Sequence, residues 1–388
     1  MKKKKILVVN YEHYHTPYQM NAFQKYCDDY DVTYYTSINP KRIKNIFIKK
    51  DIKLQNKYIF LLIDKILGKL NKARRNVIHY KLGKHFCELV KRKNKNKKYD
   101  IIHAYNGFAK ELIDSDNKSV KLVECGVHPK FYNDICQQEF EKYSMSCEPL
   151  LDDYIKKSCY EFEKADYILT QSPVCVKSFI ENGIERKRVL SIPLGVNVEH
   201  FKRVCDRNEI FTVLYVGRVT ILKGVQYLIE ACEKLANSGY KLQCLIVGPI
   251  TDEYMSGLEK KYKKNDVIKF LGKKDIKDLS YYYSRASVMV MPSLIDSFCM
   301  TVFESLACST PVIITENVGA PIIDGENGFI VPIRSVEAII NKIQFFYNDR
   351  DKCNKFGENG MQMVSKLTWD NYAYELKKCY EKMLENKE

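Results

Sequence analysis

The stretch VLYVGRVTILKGVQYLIEA, residues 213–231, decides how this chain folds. It starts with a run of apolar residues that suits a strand buried on both faces. Gly217 then ends the run, Arg218 and Lys223 follow within six residues, and Gly224 opens an amphipathic segment of helical period. Strand, turn and helix in that order form one unit of a parallel α/β sheet. Gly217 lets the chain turn and lets a ligand approach the backbone. Two cations beside a helix start favour an anion, although ordinary surface cations would give the same letters. The unit is informative only in company.

Working outward, the alternation continues along the chain. Strands are expected at 5–10, 32–37, 100–105, 121–126 and 167–172, and then at 211–217, 242–248, 267–272, 287–292 and 311–315. Helical patterns lie between them, notably at 224–239 and 279–286. The strand series restarts after the polar, turn-rich stretch 192–209, which reads as a linker. A length of 388 residues also favours two domains over one. Two doubly wound sheets in series place their strand carboxyl ends on a shared cleft, where ligands of such folds bind.

Composition removes several alternatives. No apolar run approaches the roughly 18–20 residues that span a bilayer. The apolar run after the first lysines, Ile6 to Val9, is too short for a signal peptide and suits a buried strand. The 14 cysteines are scattered without a Cys-x-x-Cys pair, and read as small buried hydrophobes of a reducing compartment. A cytoplasmic protein is expected. The seven histidines show no metal-ligand spacing, so no metal or other cofactor is expected.

Residues 41–100 hold 20 Lys and Arg against four acids, which accounts for the whole net charge of +15. Two readings stay open for this segment: a solvated Lys-rich surface, or residues 41–98 lying on anionic lipid at the inner face of the plasma membrane. No nucleic-acid-reading motif accompanies it, so nucleic acid is not an expected partner.

The second informative stretch is DSFCMTVFESLACSTPVI, residues 296–313. It follows an expected strand end, and the apolar pattern from Thr301 to Ala307 reads as a helix. Amides near Cys299 to Thr301 would then be helix-start donors without intrahelical acceptors. Glu304, one turn in, can accept from vicinal ribose hydroxyls, and Asp296 can accept from sugar hydroxyls at the other end of the same ligand. Capping of a helix start by two acids is the plainer alternative.

Together these stretches resemble the retaining glycosyltransferases of family 4, whose hallmark is Glu, seven residues, Glu, followed by a Pro-Val strand. Here that pattern spans Asp296 to Glu304 and then Pro311. The family's Gly-Arg and Lys-Gly pairs match Gly217-Arg218 and Lys223-Gly224, and stretches 163–201, 318–332 and 367–384 also match. The resemblance runs from about residue 100 to the end and is weaker before it.

It implies the GT-B fold, an α/β architecture of two Rossmann-like doubly wound domains facing a central cleft. Expected boundaries are 1–197 for an acceptor-binding domain, 198–368 for a nucleotide-sugar-binding domain, and 369–388 for a helix returning to the first domain. The implied activity is transfer of a sugar, with retention, from a nucleotide-diphosphate donor to a glycan or lipid-linked acceptor in cell-surface polysaccharide or glycolipid synthesis. Gly217, Arg218, Lys223, Asp296, Ser297, Phe298, Cys299, Met300, Thr301 and Glu304 would hold the donor. Arg218, Lys223, Asp296 and His128 would act in catalysis.

The sequence departs from the pattern in places. Asp296 replaces the first Glu, and Ser297 and Cys299 replace two glycines. The first strand leads into NYEHYHTPYQ in place of a Gly-Gly turn, and His13 and His15 read there as exposed loop residues, with lining of the cleft as the alternative. The family's sugar-facing His falls at Cys125. His128 is the expected substitute, Glu124 the alternative, and Glu139 a weaker cleft candidate. Asp114-Ser115-Asp116 imitates a metal-binding triplet, but such a triplet arises by chance in a chain with this many aspartates. Two other functions compete: a sugar-nucleotide epimerase of the same architecture, and a basic membrane-surface binding protein with an inactive site.

Overall fold

The structure, a computed structural model, describes residues 3–11, 15–26, 28–37, 52–56, 72–115, 118–146, 150–197 and 199–387. His13, Asp116 and most of 41–71 lie outside the described residues.

Strand β1 (Lys4–Asn10) pairs with β2 (Tyr30–Thr36) on one side and β4 (Ile101–Tyr105) on the other. Strand β3 (Ile52–Asn56) extends the sheet beyond β2, and β5 (Val120–Glu124), β6 (Tyr167–Thr170) and β7 (Val189–Ser191) extend it beyond β4. The order is therefore β3-β2-β1-β4-β5-β6-β7. A second sheet centres on β8 (Phe211–Val216), between β9 (Leu242–Val247) and β11 (Val288–Met291). It continues to β10 (Ile268–Gly272) on one side and to β12 (Val312–Thr315) and β13 (Gly328–Val331) on the other, in the order β10-β9-β8-β11-β12-β13. The described strands all pair in parallel. In both sheets the order reverses beside the first strand, which opens a crevice at the carboxyl ends of β1 and β4 and of β8 and β11.

The reason these residues form these strands is burial. All six residues of β8 and all four of β11 and of β12 are buried, as in sheets covered by helices on both faces. Helix Val225–Asn237 turns Val225, Leu228, Ile229, Cys232 and Leu235 inward at spacings of three and four. Each such side chain contributes roughly 1.5–3 kcal/mol on leaving water if it is large. Nine of the twelve described cysteines are buried and pack as small apolar groups.

After the second sheet, helix Trp369–Glu385 returns to the first. Tyr380 meets Phe23 edge-on at 5.5 Å, and the Tyr372 hydroxyl accepts from Gln19 at 2.8 Å. Two surface ion pairs, Lys25–Asp370 and Lys377–Asp29, flank the contact. Among the described residues no helix is long and apolar enough to cross a membrane.

Candidate active site

The turn after β8 is fixed by backbone geometry. Gly224 has φ of +68°, and a Cβ there would lie 1.9 Å from the Pro292 carbonyl oxygen. Only glycine lets the turn sit this close to the end of β11. Thr220 accepts from the Lys223 amide, Asp252 accepts from the Ile221 amide at 2.8 Å, and the Leu294 amide donates to Leu222 at 2.9 Å. These bonds hold the turn against the loop that follows β11. The loop is held in its turn from the β12 side, where Asn317 accepts from the Asp296 amide and Gly319 donates to the Asp296 carbonyl.

The result is one contact that the spacing alone could not establish. The Lys223 ammonium donates to the Asp296 carboxylate, 73 residues away, with both groups half-buried. Arg218 is exposed at the start of the same turn, and its carbonyl accepts from the buried Tyr215 hydroxyl at 2.7 Å. Gly217 donates to Val247 and ends the strand. Helix Met300–Ala307 begins beside the loop with Cys299 at its cap, and no side chain caps it. Its first amides lack intrahelical acceptors and point outward along the helix axis. Thr301 lies at this start, 3.3 Å from the Cys299 thiol, and Met300 is exposed beside it. Further along, Glu304 accepts from the Tyr283 hydroxyl at 2.8 Å. Burial raises the Glu304 carboxyl above its ordinary range, and the Tyr283 hydrogen bond offsets this only in part.

The first sheet meets this loop at the ends of β5 and β6. A Cβ on Gly126 would lie 2.9 Å from that of Ser297, so the two backbones approach closely there. Ser172 donates to the Ser297 carbonyl at 2.8 Å. The carboxyl ends of both sheets thus converge on residues 296–297.

Three expectations need correction. The His128 side chain accepts from the Lys130 amide at the start of helix Pro129–Lys142, and its ring packs 5.4 Å from both Phe162 and Phe179. Burial there lowers its pKa to about 4, so it is a neutral helix cap enclosed among aromatic rings. Phe298 turns inward and stacks on Phe303 at 4.7 Å, so its ring belongs to the core and only its backbone is left to meet a ligand. His15 is no exposed loop residue: its Nε2 lies 3.1 Å from the buried Glu124 carboxylate.

Glu124 collects four partners. His15, Gln19 and Gln171 meet Oε1, and His103 meets Oε2 at 3.0 Å. Burial alone would raise this carboxyl, but the hydrogen bonds from His103 and His15 hold it well below the usual range. Cys125 is buried and directs its thiol to the Val127 carbonyl. Glu139 is fully buried between the sheets and does not line the cleft. It accepts from Gln226, Tyr227 and Arg334 at 2.7–2.9 Å. Asp114 accepts from Lys110 and Tyr160 on the surface of the first sheet's layer.

The solved sucrose-phosphate synthase of Thermosynechococcus elongatus superposes with a TM-score of 0.72, covering 99% of this chain and all of that one, at 20% identity. The fold is GT-B. An Anabaena protein, HepE, solved with UDP and glucose, gives a TM-score of 0.67 at 15% identity, covering 98% of this chain and all of that one. Residues 199–363, the part that carries Lys223, Asp296 and Glu304, match the family model of the glycosyl transferases group 1. Among the relatives, a capsular polysaccharide biosynthesis glycosyltransferase of Staphylococcus aureus is 29% identical over 191 residues, 47% of this chain and 48% of that one. The chain spans about half the length of the curated relatives it matches. In this GT-B fold the Lys223–Asp296 contact sits at the switch point of the second sheet, facing the first.

Proposed function

We propose that this GT-B protein is a glycosyltransferase that moves a sugar from a nucleotide-diphosphate donor to a hydroxyl of a glycan or lipid-linked acceptor. One observation carries the reading. Lys223 and Asp296 meet at the strand carboxyl ends, with Arg218 on the same turn and helix-start amides alongside. Cleavage of the donor leaves negative charge on the diphosphate, and Arg218, Lys223 and those amides would stabilise it without a metal ion. Asp296 would share its carboxylate with the sugar hydroxyls once phosphate engages Lys223, and Glu304 would accept from the ribose.

The match to the glycosyl transferases group 1 and the ligands of the Anabaena neighbour support a nucleotide-sugar donor. The capsular relative supports a role in cell-surface polysaccharide synthesis. Retention follows from the family 4 resemblance, and the anomeric configuration of the product by NMR checks it.

A thermal-shift screen of nucleotides and nucleotide sugars tests the reading. At a hundred times its dissociation constant, UDP should add about 2.7 kcal/mol of stability. A panel in which no nucleotide shifts the melting temperature would sink the proposal. The basic segment 41–98 should bring the protein down with anionic but not neutral liposomes, less so at high salt. Equal binding to both would remove lipid from the list of partners.

A further inference from the structure

We propose that the cavity at the amino ends of β5, β6 and β7, at the pole of the first sheet opposite the cleft, binds a phosphate-bearing anion. The inference stands apart from the transferase reading, since none of the residues involved belongs to the donor loop or to the turn after β8.

Position comes from the strand starts. Val120 opens β5, Tyr167 opens β6, and Arg188 directly precedes β7. The end of helix Trp369–Glu385 closes over them. Met383 is buried there, and Asn386, just past the helix, donates to the Tyr167 hydroxyl at 3.0 Å. The space left between helix and strand starts is a cavity of about 670 Å³. Sites for small molecules occupy about 300–1,000 Å³. Val120, Ala165 and Met383, all buried, give this one an apolar floor.

The rim carries the charge. Three separated stretches of chain bring six cations to the cavity against one acid, Asp166. Lys118 and Lys121 come from the start of β5, Lys187 and Arg188 from the start of β7, and Lys382 and Lys387 from the end of the helix. Asp166 is already engaged, its carboxylate accepting from the Lys121 amide at 2.7 Å. Arg188 gives one nitrogen of its fork to the carbonyls of Phe162 and Ala165, at the end of helix Asp152–Lys164. That fixes the guanidinium in place and offsets the partial negative charge of the helix end. Lys187 pairs with Glu185, but at 81% exposure the pair weighs little. Lys121, Lys382 and Lys387 form no ion pair among the described residues.

Solvated lysines need neither a concavity nor a shared focus, and these have both. A cleft lined by one sign of charge over low-dielectric walls concentrates its field and draws ions of the other sign. Ammonium groups around a planar guanidinium suit phosphate oxygens. The number of cations calls for more than one negative charge, and the apolar floor leaves room for a body attached to the phosphate. A free phosphorylated metabolite and the headgroup of an anionic lipid share this chemistry.

Calorimetric titration with inorganic diphosphate reads the site. Lys223→Ala protein, in which the proposed donor site is weakened, is compared with the same protein carrying Lys121→Gln and Lys382→Gln as well. The first should bind diphosphate, and the two further substitutions should weaken binding about tenfold or more, as loss of two charge-assisted contacts implies. Vesicles of phosphatidylglycerol that displace diphosphate from Lys223→Ala protein make the ligand a lipid headgroup, and vesicles that leave it in place make it a free anion. Diphosphate affinity unchanged by Lys121→Gln and Lys382→Gln overturns the assignment. So does absence of diphosphate binding to Lys223→Ala protein, or binding no tighter than that of sulfate at the same ionic strength. Protein carrying only Lys121→Gln and Lys382→Gln should be stabilised by UDP like the wild type, which keeps this test separate from that of the transferase reading.

Discussion

Replacing Lys223 with Ala should cut sugar transfer about a hundredfold while leaving the fold in place. Two magnitudes set the effects. The Lys223–Asp296 pair is mostly enclosed, its side chains 17% and 16% accessible, and removing one partner from such a pair costs about 1–3 kcal/mol of stability. Removing a positioned donor from the charge that develops in a transition state costs about 3 kcal/mol, the equivalent of that hundredfold. The turn itself does not depend on the ammonium. Gly224 in its left-handed conformation, the Thr220 cap and the Asp252 bond to Ile221 all remain. The comparison is kcat/KM for the donor against the thermal unfolding midpoint. Near wild-type turnover would remove Lys223 from the mechanism, and a fall in stability matching the fall in activity would reduce it to a structural cation. Lys223→Arg keeps the charge on a longer, planar group and should recover part of the rate.

The second sheet's side of the cleft is legible in the sequence because its groups lie close together in the chain. Arg218 and Lys223 are five residues apart on one turn, Asp296 and Glu304 eight apart across one helix start, and each pair is announced by a buried strand before it. What brings the two pairs together is sheet order, and a spacing does not show that. The first sheet's side was less legible for the same reason. His15 and Glu124 are 109 residues apart, and Glu139 and Arg334 are 195 apart, so neither pair forms a local pattern. His128 misled because a histidine just beyond a strand looks the same whether it faces a ligand or caps the next helix. Its neighbours Phe162 and Phe179 arrive from distant helices and decide the matter. Strands β3, β7 and β13 escaped notice because each is a short strand at the edge of its sheet. Segments that short owe their conformation to pairing with a formed sheet more than to their own pattern.

Glu139→Ala should destabilise the protein by about 3 kcal/mol and weaken its response to donor, although the residue touches neither donor nor acceptor in the proposed reaction. Glu139 lies on helix Pro129–Lys142, which follows β5 of the first sheet, yet its partners Gln226, Tyr227 and Arg334 all belong to the second sheet's layer. Removing the carboxylate leaves three donors without their acceptor at a dry contact. Breaking a buried pair from one side costs about 3–5 kcal/mol, and the lower end applies because Arg334 is 26% accessible and can partly rehydrate. Arg334 also holds a left-handed φ of +62°, a conformation costing an ordinary residue roughly 1–2 kcal/mol. That strain persists where surrounding contacts impose it, and the bond to Glu139 is one such contact. Gln226 links the same carboxylate to the Ile221 carbonyl at 3.0 Å, at the start of the turn that carries Lys223. Loosening the hub should therefore loosen the turn proposed to bind phosphate. Glu139→Gln, which keeps the shape and still accepts from Tyr227, should lose less. Thermal unfolding with and without UDP reads both effects at once. If Glu139→Ala melts with the wild type and gains as much from UDP, the two layers are held in register by other contacts, and donor binding does not depend on this one.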